Sequence, residues 1–331
     1  MTDASKPDWK WWAAEEESWQ KLAKEHIDEK LLAAYGHAVK YLEAHTPPIH
    51  NPQFQMDLCD ALRDPHSRDF WNGHKMALCT AHKNRLWQVR FALPVTLVHC
   101  LPYKENVVIH FVDFGSSDGT LQWITENCKQ ALHCKLLRLY TSDELPEWHA
   151  SIAKNTAHML VPEEADICVN LDADNIVYGL WLKEMMKWFN KGYTVVHAAG
   201  AEGTCGRIAS LTEHFREVRG YDEDAYPMGG QDVDLVWRLQ KLDRSKYKRV
   251  ADHSEAIPNP IEDKIAQCDP NHGRRAKDWR NMNDINVEVM KRRLQTGVIR
   301  NMHKAMPGVP VYEYEVEDCD LDRDADTYLD L

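Results

Sequence analysis

The chain has 331 residues, 44% hydrophobic and 28% charged, with a formal net charge of −12, ordinary values for a soluble globular protein of one large domain or two. No stretch reaches the roughly 18 apolar residues of a membrane-spanning helix, and the N-terminus MTDASKPDWKWWAAEEE lacks the apolar core of a signal peptide. Nine cysteines with no CxxC pair argue against a zinc ribbon and against a disulfide framework, so the expected setting is a reducing cytoplasm, bacterial, phage or viral, with no membrane partner.

In chain order, the first predicted element is a helix over about residues 9–45. Trp12, Trp19, Leu22, His26, Leu31, Leu32 and Tyr35 recur at helical spacing, and Pro47 and Pro48 end the run. From Lys75 strands alternate with helices. MALCT, VVIHFVDF, LLRLYT, ICVNLDAD and YTVVHAA read as strands. NRLWQVRFALPVTLVHCL, SIAKNTAHML and WLKEMMKWF read as helices. GSSDGT is a turn in which Ser116 or Ser117 is placed to cap a helix starting near Leu121. The alternation predicts an α/β fold, a mostly parallel sheet covered by helices, with ligands bound beyond the carboxyl ends of the strands. The expected division is an N-terminal helical extension (1–70), a catalytic domain (71–310) and an acidic tail (311–331). The tail carries nine acids and one Arg from residue 313 onward, whereas residues 241–304 hold 15 Lys and Arg against nine acids. That basic stretch suits a phosphate-bearing ligand or a solvated surface.

Three segments carry chemistry. Asp172-Ala173-Asp174 is a DxD motif at the end of the apolar run DICVNL; alternate strand residues face one way, so both carboxylates can approach one ligand. Hard oxygen donors suit Mg²⁺ or Mn²⁺. In PMGGQDVDLVWRL two glycines precede Asp232 and Asp234, which open a helix. ADHSEAIPNP offers the imidazole of His253.

These segments resemble those of GT-A-fold inverting glycosyltransferases. FVDFGSSDGTLQWI resembles the first strand, turn and helix of the large family of nucleotide-sugar transferases. FREVRGYDEDAYPMGGQDVDLVWRL followed by HSEAIPNP is similar to the β-1,4-galactosyltransferase type and to chondroitin-polymerase-like domains. The resemblance spans about residues 75–265 and implies a GT-A (Rossmann-like) fold. It implies a UDP-sugar donor, a glycan or other hydroxyl-bearing acceptor, and a metal, Mn²⁺ before Mg²⁺, held by Asp172, Asp174 and His253. It further implies that Lys83 and Arg85 contact the nucleotide, that Asp113 bonds the uracil ring and that Asn155 lines the donor site. Gly229 and Gly230 would let the backbone approach donor and acceptor, and Asp232 would be the base. Asp234 reads as a helix N-terminal acid. The chain departs from the family at Met228 (usually Trp), Gln231 (usually an acid), Ala81-His82 (usually Pro-Phe) and Phe114 (often an acid). Those departures bear on sugar and acceptor identity. A hydroxymethylated DNA base is a further acceptor class, disfavoured by the net charge. The competing readings are a non-catalytic nucleotide-sugar-binding module and a sugar-nucleotide hydrolase or nucleotidyltransferase.

Overall fold

The structure is a computed structural model that describes residues 19, 21–45, 52–199, 203–251, 256–268, 278–300 and 308–314. Its centre is an eight-stranded sheet in the order β7-β5-β6-β4-β1-β2-β3-β8. The strands are β1 (Met76–His82), β2 (Val107–Asp113), β3 (Leu137–Thr141), β4 (Ile167–Asn170), β5 (Val195–Ala198), β6 (Ile208–Leu211), β7 (Tyr247–Val250) and β8 (Tyr312–Glu313). β1, β2, β3 and β4 run parallel, as do β5 and β7, while β6 is antiparallel to both β4 and β5. This is the mostly parallel, helix-flanked α/β arrangement expected from the alternating pattern. β1 and β2 are buried on both faces, which is why they read as continuous apolar runs.

In register, His82 lies opposite Asp113, and Asn170 opposite Cys79. The carboxyl ends of β1, β2 and β4 therefore open on one edge, with Asp172 and Asp174 just beyond it.

The N-terminal helices are α1 (Glu29–His45) and α2 (Pro52–Arg63). They share one core with the sheet, since Leu31, Leu42 and Leu58 cluster with Leu78, Ile109 and Val169. The helix expected over 9–45 is interrupted before Glu29, where the Asp28 carboxylate accepts from the Leu31 amide at 2.9 Å and caps α1. The part before residue 19 lies outside the described residues. α3 (Leu86–Cys100) follows β1 and is buried from Gln88 to Cys100 except at the exposed Arg90, so its sequence shows no polar stripe.

α4 (Thr120–Asn127) and α5 (Lys129–His133) follow β2. Neither serine caps α4. Ser116 instead donates to Asp113, Ser117 bonds Asn84, and Asp118 accepts from the Thr120 amide at the helix start. The N-cap position itself is Gly119, with no side-chain cap.

The remaining helices are α6 (Ala150–Met159), α7 (Gly179–Phe189), α8 (Thr212–Glu217), α9 (Gln231–Leu242), α10 (Ile261–Ile265) and α11 (Trp279–Gln295). β8 adds an antiparallel edge at residues where the tail was expected to have begun, and Glu313 forms a two-bond ion pair with Arg138. The tail beyond residue 314 lies outside the described residues. All eight described cysteines are free, and most are buried. Among the described residues no helix is long and apolar enough to cross a membrane.

Candidate functional site

Three elements meet at a lysine the sequence reading passed over. α6 is built from small residues on its buried side, Ala150, Ala153 and Ala157, which let it lie close on the sheet. From it the Lys154 ammonium reaches Asp172 Oδ1 at 3.0 Å and Asp232 Oδ1 at 2.8 Å. Lys154 is 6% exposed. Burial by itself would lower its pKa; the two carboxylates outweigh burial and raise it, so the ammonium stays charged. It also lies 5.5 Å from the centre of the Tyr221 ring.

Asp172 has its carboxyl pKa lowered. Burial pushes the group upward, but the Lys154 ion pair and the Asn170 amide at 3.1 Å more than reverse that. Asp174 moves the other way. Burial and the neighbouring Asp172 charge raise its pKa against Arg85 and the amides of Asn175 (2.6 Å) and Asn259 (3.1 Å). A charged Asp172 that raises the cost of ionising Asp174 beside it makes a site that a divalent cation would relieve. The chain behind Asp174 is held by an antiparallel bridge from Asn175 to Ala256 and by the Ile257 amide donating to the Asp174 carbonyl at 2.8 Å. Residues just after His253 thus run beside the DxD turn. His253 itself lies outside the described residues, and among the described residues no group of three His, Cys, Asp or Glu side chains is clustered for a metal.

Gly206 packs against the same turn; a Cβ there would meet Asp172 Oδ2 at 2.5 Å. The buried Arg207 donates from Nε to the Asn175 side-chain oxygen Oδ1 at 2.6 Å and contributes to keeping Asp172 ionised. Arg85 precedes α3. Its guanidinium donates to the Asp263 carbonyl at 2.9 Å, and it feels Asp174 and Asp172; burial lowers its pKa and those acids oppose the shift.

Asp232 sits in the first turn of α9, where backbone N–H groups favour a carboxylate. Asp234 pairs with Arg238 inside the protein, one turn along, and is structural. The loop leading to Asp232 is pinned at several points. The Asn155 amide donates to the Tyr221 carbonyl (2.9 Å) and to Glu223 (2.8 Å), and its oxygen accepts from the Tyr221 amide (2.7 Å). Asn286 of α11 donates to the Gly229 carbonyl at 2.7 Å and accepts from the Tyr226 amide at 2.8 Å. Arg293 pairs with Asp222.

The structure thus brings Asp172 and Asp232 together at Lys154, with Asp174 and Arg85 beside Asp172, and it gives five expected donor-site residues other partners. Asp113 is fully buried, with one oxygen accepting from His82 (2.8 Å) and Ser116 Oγ (2.6 Å) and the other from the Ser116 amide (3.0 Å). Burial pushes its pKa upward, but these bonds hold it below the usual value. No oxygen of Asp113 faces outward to a nucleobase; it braces the β1 and β2 ends. Asn155 faces the loop, not an open site. Lys83 donates to the carbonyls of Phe114 (2.6 Å) and Leu145 (3.1 Å). Gly229 and Gly230 have φ of +88° and +77°, but the backbone they approach is their own α11: a Cβ on Gly229 would meet Asn283 Cβ at 2.7 Å, and one on Gly230 would meet Asn286 Cβ at 3.1 Å.

Sequence reasoning missed Lys154, Asn170, Arg207 and Asn259. For Lys154 a signal existed: a lone lysine among small residues in AKNTA, on a helix whose buried side has no acid to pair with it locally.

No family model matches the sequence, and no curated protein matches it. Among solved structures, the chain is similar to a mannosyltransferase from Pyrobaculum calidifontis in complex with GDP-Man and Mn²⁺. That match has 16% identity, 72% of this chain and 73% of the other, and a TM-score of 0.48. It is similar to S. aureus TarS residues 1–349, with 14% identity, 67% and 72% coverage and a TM-score of 0.46. It is also similar to a Drosophila β-1,4-galactosyltransferase 7 in complex with manganese, UDP-Gal and xylobiose, with 13% identity, 56% and 71% coverage and a TM-score of 0.38. Likeness at this level says nothing of donor, acceptor or activity in this chain.

Proposed function

We propose that this chain is a metal-dependent, inverting glycosyltransferase of the GT-A type, moving a hexose from a UDP-sugar to an acceptor hydroxyl. The observation that carries the reading is the Lys154 clamp. It holds Asp172, of the DxD turn, and Asp232, at the start of α9, within 3.0 and 2.8 Å of one nitrogen. A transferase needs this adjacency: the acids facing the donor diphosphate must stand next to the acid facing the acceptor.

Asp172 and Asp174 would hold Mn²⁺ or Mg²⁺ through oxygen donors, with His253 the third ligand expected from sequence. When bound, that cation supplies charge neutralisation for the departing nucleoside diphosphate. The chain's own groups do the rest. Asp232 accepts the proton of the acceptor hydroxyl as its oxygen bonds to the anomeric carbon and the bond to the diphosphate breaks. Lys154 keeps the Asp232 carboxylate aimed; its charge on Asp172 also limits the repulsion between the acids. Arg85, fixed on the Asp263 carbonyl, places a second cation on the donor side. Asp113, Lys83 and Asn155 build the edge on which the donor lies and do not read its base.

The test is Asp232→Asn, which keeps shape and removes the base. Transfer from a UDP-sugar is expected to fall by at least about 10³-fold while Mn²⁺-dependent UDP binding stays within about twofold. A variant that loses UDP binding, or that keeps transfer, overturns the assignment.

A further inference from the structure

Asp174 meets two side-chain amides, and the two are held differently. The Asn175 amide donates to Asp174 Oδ1 at 2.6 Å, and its own oxygen accepts from Arg207 Nε at 2.6 Å. Both ends of Asn175 are engaged, and the group cannot turn over without losing both bonds. Asn259 donates to Asp174 Oδ2 at 3.1 Å, but its oxygen Oδ1 is buried with no partner among the described residues. A buried oxygen without a donor is costly, and nothing but the Asp174 bond fixes which way this amide faces. The backbone brings Asn259 to this place without help from its side chain. The Asn175–Ala256 bridge and the Ile257 amide on the Asp174 carbonyl run the segment beside the DxD turn, and Ile257 is buried. Asn259 stands between Pro258 and Pro260, and a residue before proline is kept extended. The fully buried Gln88 donates to the Pro258 carbonyl at 3.2 Å and keeps a second unpartnered amide oxygen, Oε1, beside the same segment. A preset backbone thus carries an amide that can turn at its tip.

We infer that Asn259 is a ligand of the divalent cation: its amide turns over when the cation arrives, and Oδ1 takes a coordination position next to Asp174 Oδ2. This rests on the transferase reading above and adds a residue of this chain to its metal shell. The spacing fits. In an octahedral shell with oxygens at about 2.0–2.1 Å, neighbouring ligand atoms lie about 3 Å apart. The tip of Asn259 stands 3.1 Å from Asp174 Oδ2. Turning the amide exchanges its nitrogen and oxygen in nearly the same two places, so Oδ1 comes to the nitrogen's position with the rest of the side chain unmoved. The turn gives the unmet oxygen a partner and sets a second hard donor beside the carboxylate. Two oxygens about 3 Å apart repel one another unless a cation lies between them, which is why the amide shows its N–H side to Asp174 without one. An amide oxygen suits Mn²⁺ or Mg²⁺ and adds no charge, so the cation keeps more of its own for the diphosphate of the donor. Asn175, locked by Arg207, cannot do the same.

The experiment uses the full chain and three variants, Asn259→Ala, Asn259→Asp and Asn259→Cys. Mn²⁺ affinity is measured without nucleotide, by the electron-spin-resonance signal of the unbound ion, and the urea midpoint in chelator reports the fold. Asn259→Ala is expected to bind Mn²⁺ at least about tenfold more weakly, and Asn259→Asp at least as tightly as the wild type. A residue that only orients Asp174 would also weaken binding when truncated, so the deciding readout is spectroscopic. Asn259→Cys loaded with Co²⁺ should show a thiolate-to-cobalt charge-transfer band that the wild type with Co²⁺ lacks, because only a sulfur bound to the ion gives it. Unchanged Mn²⁺ affinity in Asn259→Ala, or a Co²⁺ spectrum of Asn259→Cys that matches the wild type, overturns the assignment. Asn259→Asp keeps the shape of the side chain, so weaker Mn²⁺ binding in it overturns the assignment even where Asn259→Ala fails to fold. The wild type separates the two readings. A wild type that binds Mn²⁺ while the variants fail these tests sinks the Asn259 ligand alone, whereas a wild type that binds no Mn²⁺, with or without UDP, sinks the transferase reading and this inference with it.

Discussion

Replacing Lys154 by Met removes the ammonium and keeps the length and apolar stem of the side chain. At the 3.0 Å separation from Asp172, a unit charge pair is worth about 5.5 kcal/mol at an effective dielectric near 20 and about 1.4 kcal/mol in bulk water. Asp172 and Asp232 keep 33% and 19% of their side-chain surface exposed, so water takes up part of the loss when the cation goes. Met also escapes the desolvation cost that Lys154 carries at 6% exposure. The net destabilisation of Lys154→Met is therefore expected to be about 1–3 kcal/mol, read as a shift in urea midpoint without metal. The same deletion leaves Asp172 without its ion-pair partner while Asp174 keeps Arg85, so a divalent ion should bind the variant more tightly. Binding to the folded state adds stability by mass action, and the gap between variant and wild type should narrow as Mn²⁺ is titrated in. A metal-free variant as stable as the wild type would refute the clamp. A gap that stays constant under saturating Mn²⁺ would show that the ammonium and the cation do not share these carboxylates.

Asp174→Asn should weaken Mn²⁺-dependent UDP binding by about tenfold or more, measured by thermal shift at limiting Mn²⁺, because it removes one of two charged oxygen donors while an amide can still meet Asn175 and Asn259; unchanged affinity would remove Asp174 from the site. Gly229→Ala should cost about 2–4 kcal/mol in urea unfolding, since φ is +88° and the new Cβ would sit 2.9 Å from the Asn283 Cα, and a neutral result would mean that α11 can withdraw. Burial lowers the histidine pKa to about 3 at His99 and about 4 at His110 and His158. Their contribution to stability is full above about pH 6.5, the unfolded value, and is lost as pH falls toward those folded values. Three extra protons taken up by the unfolded chain make the fold as much as about 4 kcal/mol less stable at pH 5.5 than at 7.5. A flat denaturation profile over that range would show that these rings protonate in place.

The class of fold was legible because its signal is local. Runs such as VVIHFVDF and ICVNL are apolar on both faces only if both faces are covered, and the helices between them are long enough to cover them. The DxD turn was legible for the same reason: acids directly after such a run fall at a strand end. What escaped was pairing across the chain. Lys154 and Asp232 are 78 residues apart and meet at 2.8 Å, and nothing in either segment names the other. The diversion of Ser117 to Asn84, and the joining of residues 312–313 to β3 as an edge strand, were equally tertiary in origin.

Asp113, Asn155 and the paired glycines show a second limit of motif reading. A residue type can be fixed in a segment by what the segment must pack against, with no ligand involved. Asp113 is required at the end of β2 because His82, its register partner on β1, needs a carboxylate partner and the turn amide of Ser116 needs an acceptor. Gly229 and Gly230 are required because α11 passes too close for a side chain. Asn155 is required because a buried loop from Tyr221 to Glu223 presents a donor, a carbonyl and a carboxylate that one amide can meet together. Each of these acts on the chemistry through position. They hold the loop and the strand ends that set Asp232 and Asp172 on either side of Lys154, and a shift of about 1 Å in any of them would separate the two carboxylates from the one nitrogen that joins them.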